Sequence, residues 1–231
     1  MRLAARSAVL AAWSAFLAWL LVSGEIARYL GPRTRWVAVV GAFGLGAAAV
    51  AAVRSERSWS RRPSAREILG LGVLLLPIVA VGLVPRPGLG ALAASRKAPS
   101  QGALALGPVA APSSPDDSEI SFLDLYFANR SATYAAESGI FDGAPVRLLG
   151  FVTRTGETRE GTFELTRFYV SCCAADAIPY SATVVPLGRV PQPRNDSWLE
   201  VSGRVRVVGD DFVVVPARVT PRREPRDPYL Y

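Results

Sequence analysis

Residues 198–220 read "WLEVSGRVRVVGDDFVVVPARVT", and the pattern in this stretch decides the fold of the C-terminal half. Leu199, Val201, Gly203, Val205 and Val207 alternate with Glu200, Ser202, Arg204 and Arg206. A period of two puts each set on its own face, so Trp198–Val208 is a half-buried strand with one wet side. "VVGDDF" then reads as a tight hairpin turn that returns the chain as a second strand, Phe212–Thr220.

Upstream, Val146–Arg154, Phe163–Ser171 and Ala182–Leu187 are further strand candidates, rich in Val, Phe and Thr. In "ISFLDLYFANRSATYAAESGIFDG", residues 120–143, Leu123, Tyr126 and Phe127 recur at helical spacing, which predicts one or two short helices. Five short strands in residues 119–231 predict a mostly-β domain, a small OB-like barrel, with an open sandwich as the alternative. Residues 86–118 are rich in Pro, Gly, Ala and Ser, and end in "APSSPDDS". That composition reads as a tether.

Residues 1–85 are of another kind. Three stretches, 7–24, 36–53 and 68–85, carry no charge over 18 residues. That is near the lower limit for crossing a bilayer, and flanking residues can snorkel to supply the rest. An amphipathic face is missing, which argues against three buried core helices. "MRLAAR" before the first apolar run also resembles a signal peptide, but the run is long and basic flanks follow it. The loop "RSERSWSRRPSARE" carries Arg54, Arg57, Arg61, Arg62 and Arg66. The positive-inside rule places that loop and the N-terminus in the cytoplasm, and everything after the third span outside. The protein is therefore expected in the bacterial cytoplasmic membrane, multi-pass, in contact with lipid.

Charge agrees with this division. Residues 1–97 hold 13 Arg or Lys against 3 acids, whereas residues 98–231 hold 13 Arg against 16 acids. The basic excess flanks apolar segments, so a nucleic-acid partner is not expected. Arg replaces Lys almost throughout, with Lys97 the one lysine, as in a GC-rich bacterial genome. In the second span, Gly44 and Ala48, and Ala42 and Gly46, are small residues four apart that let a neighbouring helix approach. The spans hold no ionisable residue, so this chain alone makes a poor transporter. It has no His, no nucleophile elbow and no phosphate-binding glycine loop, so no enzyme activity is expected.

The chain's only two cysteines are adjacent, in "RFYVSCCAADAIP" from Arg167 to Pro179. Adjacent residues on a regular strand face opposite ways, so Cys172 and Cys173 can share a ligand only if the strand ends there. Three readings stand: packed core residues, a strained vicinal disulfide, or a soft-metal site with Asp176 adding an oxygen and Arg167 nearby on the strand. A closed zinc site needs four ligands, so a zinc or copper ion would take the rest from a second copy or a partner.

Several segments resemble one family. "RFYVSCCAADA", "GAPVRLLGFVTR" (143–154), "SWLEVSGRV" (197–205), the terminal "DPYLY" and "RYLGPRTRW" (28–36) are similar to segments of the YcgQ-like family of bacterial membrane proteins. Members often carry a histidine where this chain has Gly31, and a His-rich inter-helical loop where this one is Arg-rich. The resemblance implies a subunit of a two-component permease, with a larger polytopic membrane protein as partner and, in some bacteria, an association with metal homeostasis. It also implies functional roles for Cys172, Cys173 and Asp176. The function expected is an accessory permease subunit whose outer domain captures or transfers a ligand such as a metal ion. The alternatives are a membrane-anchored thiol-redox protein or a scaffold.

Overall fold

The computed structural model describes residues 2–55, 64–83, 89–97, 120–154, 161–187 and 192–231. Most of the Arg-rich loop and residues 98–118 of the tether lie outside them. The chain divides into two compact units, residues 1–87 and 88–231.

The first unit holds three long helices, α1 (Arg2–Ser23), α2 (Arg35–Ser55) and α3 (Ala65–Leu83). All three are long and apolar enough to cross a membrane. Gly24 ends α1 in the left-handed region, φ 77°, which glycine adopts without strain. The small residues of α2 split between two faces. Ala38, Ala42 and Ala49 are buried, and Ser14 Oγ of α1 donates to the Ala42 carbonyl at 2.7 Å. A Cβ on Gly46 would stand 3.0 Å from that hydroxyl, so glycine permits the close approach. Gly44 and Ala48 are exposed, and a Cβ on Gly44 would meet nothing within 4 Å. The second small pair is thus used inside the unit and the first is left open. Pro77 inside α3 deprives the Val73 carbonyl of its helical donor. The next carbonyl, Leu74, accepts the Trp13 indole N–H of α1 at 3.0 Å.

The second unit is built on five strands: β1 (Pro145–Thr153), β2 (Phe163–Tyr169), β3 (Ile178–Val184), β4 (Trp198–Val208) and β5 (Asp211–Pro221). They close in the order β1-β2-β3-β5-β4, with β1 back against β4. All neighbours are antiparallel except β3 and β5, which meet in parallel at Val184 and Val214. This is the expected OB-like barrel, and the open sandwich is excluded by its closure. The β4–β5 turn is Gly209–Asp210, with Gly209 at φ 65°. The alternation in β4 buries Leu199, Val201 and Val205, but Val207 is exposed because the hairpin extends past the core. Pro216 is tolerated in β5 because it sits at a bulge opposite Gly203.

Two strands differ from the sequence reading by more than one residue. β3 begins at Ile178, four residues before Ala182, and ends at Val184. Pro179 looks like a breaker, yet β3 has no partner on that edge until Val184, so the missing N–H costs no ladder bond. β2 ends at Tyr169, not Ser171. Within the stretch read as a tether, Ala91–Arg96 is a helix, α4, with Ala91 and Ala94 buried. Its N-terminus is held by the Asp196 carboxylate, which accepts from the Ala91 N–H. A Cβ at Gly90 would collide with that carboxylate.

Two short helices, α5 (Phe122–Ala128) and α6 (Ala132–Glu137), precede the barrel. A capping box starts α5: Asp124 N–H donates to Ser121 Oγ at 3.2 Å and Asp124 Oδ2 accepts from Ser121 N at 2.8 Å. Phe122, Leu123 and Leu125 of α5 join Leu148, Val152, Leu165, Val201 and Val214 in the main core. A second cluster lies outside the barrel wall, where Phe151 and Phe168 pack with Ala94 of α4 and Tyr229 of the C-terminal tail.

Glu164 stands on the outer face of β2 and accepts the Thr183 hydroxyl at 2.9 Å. Burial pushes its carboxyl above the usual range, and the Thr183 hydrogen bond only partly offsets this. The folded state thus holds this proton to higher pH than the unfolded chain. Stability falls as pH rises from about 4.5, the unfolded value, through the raised folded value, and then levels off. Glu164→Gln is expected to remove that component. Melting of both proteins from pH 4 to 8 should show a wild-type-minus-variant difference that declines over this window, and a flat difference would contradict it.

Candidate metal centre on the β2–β3 turn

The turn from Val170 to Ala177 is anchored at both ends and organised from within. Val170 and Ala177 are buried in the outer aromatic cluster. The Val170 N–H, which a longer β2 would give to the sheet, donates to the Leu230 carbonyl at 2.9 Å. The next donors leave the ladder as well. Asp176 Oδ1 accepts from Ser171 N at 3.1 Å, and Oδ2 accepts from Cys172 N at 2.7 Å and Cys173 N at 3.3 Å. One carboxylate thus draws three successive backbone N–H groups around itself, and this ends β2 ahead of the cysteines. Ala174–Asp176 forms a single 3-10 turn.

This curl brings the two thiols to one side. Cys172 and Cys173 are free thiols, the first exposed and the second half-buried, with Sγ atoms 3.7 Å apart. Ligand atoms of Cys172, Cys173 and Asp176 all lie within 4.8 Å of one another. Two sulfurs bonded to one zinc at about 2.3 Å and a tetrahedral angle would stand about 3.8 Å apart. The observed spacing fits two corners of such a site. Asp176 spends much of its acceptor capacity on the backbone, since a carboxylate offers about four lone-pair positions. Its first role is to shape the turn, and the remaining position, which the Cys172 thiol occupies, opens to an ion when that thiol gives up its proton. The cluster therefore fits zinc or cuprous ion as an incomplete, thiolate-rich set.

The electrostatics are those of concentrated negative charge. The hydrogen bond to the Asp176 carboxylate, then the one to Cys173, pushes the Cys172 thiol up to about 12. Burial pushes Asp176 up, but hydrogen bonds from the Cys172 side chain and from the Cys172, Cys173 and Ser171 N–H groups outweigh it and hold the carboxyl below its usual value. A cation placed between the sulfurs and the carboxylate would pull the Cys172 thiol back down and hold Asp176 ionised.

Arg167, expected beside the site, turns towards the C-terminal tail. Its Nε donates to the Pro228 carbonyl at 3.2 Å and an Nη to the Asp227 carbonyl at 3.1 Å. Burial pulls this guanidinium down, with Asp227 and Tyr231 pushing it back up. The Leu230 N–H donates to the Phe168 carbonyl at 2.8 Å, so the tail runs alongside the end of β2. Arg167 clamps this tail, and the tail in turn holds Val170, two residues ahead of Cys172. Lys97, at the end of α4, is the residue the sequence reading missed. Its Nζ donates to the carbonyls of Ala174 at 3.3 Å and Ala175 at 2.9 Å. The signal was a lone lysine in a chain that otherwise uses arginine.

These features define a class: a membrane protein with three candidate spanning helices and a closed OB-like barrel that carries a vicinal dithiol on its β2–β3 turn. Residues 110–231 match the DUF1980 C-terminal domain, and the chain belongs to that family. No curated protein matches it.

Proposed function

We propose that this protein is an accessory subunit of a bacterial membrane permease complex, and that its barrel captures a thiophilic metal ion at Cys172 and Cys173 and hands it on. The observation that carries this reading is the pair of sulfurs, one exposed and one half-buried, at the spacing of two zinc ligands beside a carboxylate. An incomplete ligand set suits transfer, because a receiving site can supply the remaining ligands. The resemblance to the YcgQ-like family supports a polytopic permease as the partner, and a second copy of this chain is the other source of ligands. The charge pattern supports a barrel outside the cytoplasm, anchored in the cytoplasmic membrane. No catalytic step is assigned. A thiol-redox role is disfavoured by the raised Cys172 thiol, since a reactive cysteine needs a lowered value.

The test is melting of the full chain in detergent, with and without zinc or cuprous ion, for wild type and Cys172→Ser/Cys173→Ser. Wild type is expected to gain about 2.7 kcal/mol at a hundredfold excess over its dissociation constant, and the double variant nothing. Without metal the two should melt within a few degrees, because neither thiol belongs to the core. A large metal-free loss with no metal effect would make the cysteines packing residues instead.

The partner is tested separately on the open face of α2. Gly44→Leu/Ala48→Leu is expected to abolish co-purification of the polytopic partner from native membranes and to leave zinc binding intact. Undiminished co-purification would place the contact elsewhere.

A further inference from the structure

The two-residue period of the barrel puts Phe151 and Thr153 of β1, Glu164, Thr166 and Phe168 of β2, and Pro179, Ser181 and Thr183 of β3 on its outer face. Helix α4 covers the Phe151–Phe168 end of this face. At the Glu164 end, the opposite end of β2 from the dithiol turn, a cleft of about 330 Å³ opens between α4, α5 and the strands. That is the lower end of the range for small-molecule sites.

Hydroxyl groups of the barrel exterior stand within the largely apolar lining of the cleft. Thr166 is completely buried, and its hydroxyl is bonded to Thr153 Oγ1 at 2.5 Å and to Ser181 Oγ at 2.7 Å. Three hydroxyls own three protons, and two bonds use two of them. When Thr166 accepts from one outer hydroxyl and donates to the other, the spare O–H lies on Thr153 or Ser181, and both line the cleft. Glu164 Oε1 accepts from Thr183, and Oε2 makes no hydrogen bond among the described residues. Arg154, next to Thr153, is exposed and makes no hydrogen bond or ion pair among the described residues. Arg130 lies over the Tyr126 ring, 3.6 Å from its centroid, and spends one Nη on the Tyr126 carbonyl at 3.2 Å, leaving further N–H donors. Ala91, Ala94 and Pro179 supply an apolar wall.

We propose that this cleft binds a small polyhydroxylated anion, a sugar acid or sugar phosphate of about six carbons. Two guanidinium groups match a carboxylate or phosphate. The free Glu164 oxygen accepts a ligand hydroxyl, and the spare hydroxyl proton donates to another. A bare anion would meet the Glu164 carboxylate with no hydroxyl to offer it. A neutral sugar would leave both cations without a counter-charge. The inference stands on residues other than the dithiol turn and is independent of the metal reading.

The experiment is calorimetric titration of the full chain in lipid nanodiscs with gluconate, glucose 6-phosphate, glucose, acetate and alanine. Gluconate or glucose 6-phosphate is expected to bind at least tenfold more tightly than the other three, and the tighter of the two assigns the anionic group. Arg154→Gln and Ser181→Ala should each weaken that binding at least fivefold, Arg154→Gln without lowering the melting midpoint, and Cys172→Ser/Cys173→Ser should not weaken it. The proposal is overturned if neither anionic polyol binds, if glucose, acetate or alanine binds best, or if binding survives both substitutions in the cleft.

Discussion

Gly150→Ala is expected to destabilise the barrel by about 3 kcal/mol, the upper end for forcing atoms into a packed core. A methyl group at this position would stand 2.6 Å from the Thr166 carbonyl oxygen, 2.9 Å from Phe122 Cζ and 3.1 Å from Leu165 Cγ. The nearest atom is backbone, in a strand pair that holds Phe151 against Thr166, so it cannot move without opening β1 from β2. The ring behind it is 2% exposed and has no room to swing. At Gly150, β2 and α5 both press close on β1, and the absence of a side chain is what allows it. For a domain of this size the midpoint should fall by roughly 10–20 °C. A variant that melts within 2 °C of wild type, as read by circular dichroism, would contradict this packing.

Asp176→Asn is expected to move two properties of the turn in opposite directions. Zinc affinity should fall about 10–100-fold, the usual cost of removing a group that orients metal ligands. The Asn side chain keeps one acceptor oxygen in place of two and brings no charge, so the three N–H groups that curl the turn lose part of their anchor. Thiol reactivity should instead rise. The carboxylate is the first cause of the Cys172 thiol standing at about 12 against an ordinary 9.0. Removing the charge returns the thiol towards that value and enlarges the thiolate fraction at pH 8. Lower intrinsic nucleophilicity takes back part of the gain, leaving an alkylation rate more than about tenfold faster. Wild-type zinc binding must expel the Cys172 proton, so affinity should strengthen as pH rises through the neutral range. If Asp176→Asn weakened zinc and slowed alkylation together, the carboxylate would be acting only through the shape of the turn.

Local pattern made much of the architecture legible. The alternation in β4, the hairpin at Gly209 and the uncharged runs of α1, α2 and α3 each depend on residues close in sequence, and each was readable. The misplaced elements depend on remote partners. β3 starts at Ile178 because the edge facing Pro179 has no neighbour, a property of the closed barrel. α4 forms in a stretch composed like a tether because Asp196, more than a hundred residues away, caps it, and Phe151 and Phe168 give Ala94 a surface. The site divides in the same way. The clustering of Cys172, Cys173 and Asp176 was readable because the three are close in sequence. The clamp that Arg167 places on the tail, and the support Lys97 gives to Ala174 and Ala175, arise only on folding. The hydroxyl chain of Thr153, Thr166 and Ser181 was hidden for another reason. Thr and Ser on separate strands look like ordinary strand residues until the register sets them side by side.

The central claim is that the vicinal thiols hold a metal ion, and X-ray absorption at the zinc edge of the full chain, loaded with one equivalent of zinc in detergent, tests it most directly. The account predicts a spectrum that requires two sulfur scatterers at about 2.3 Å, lost in Cys172→Ser/Cys173→Ser. A first shell of oxygen and nitrogen alone, unchanged by that double substitution, would contradict it.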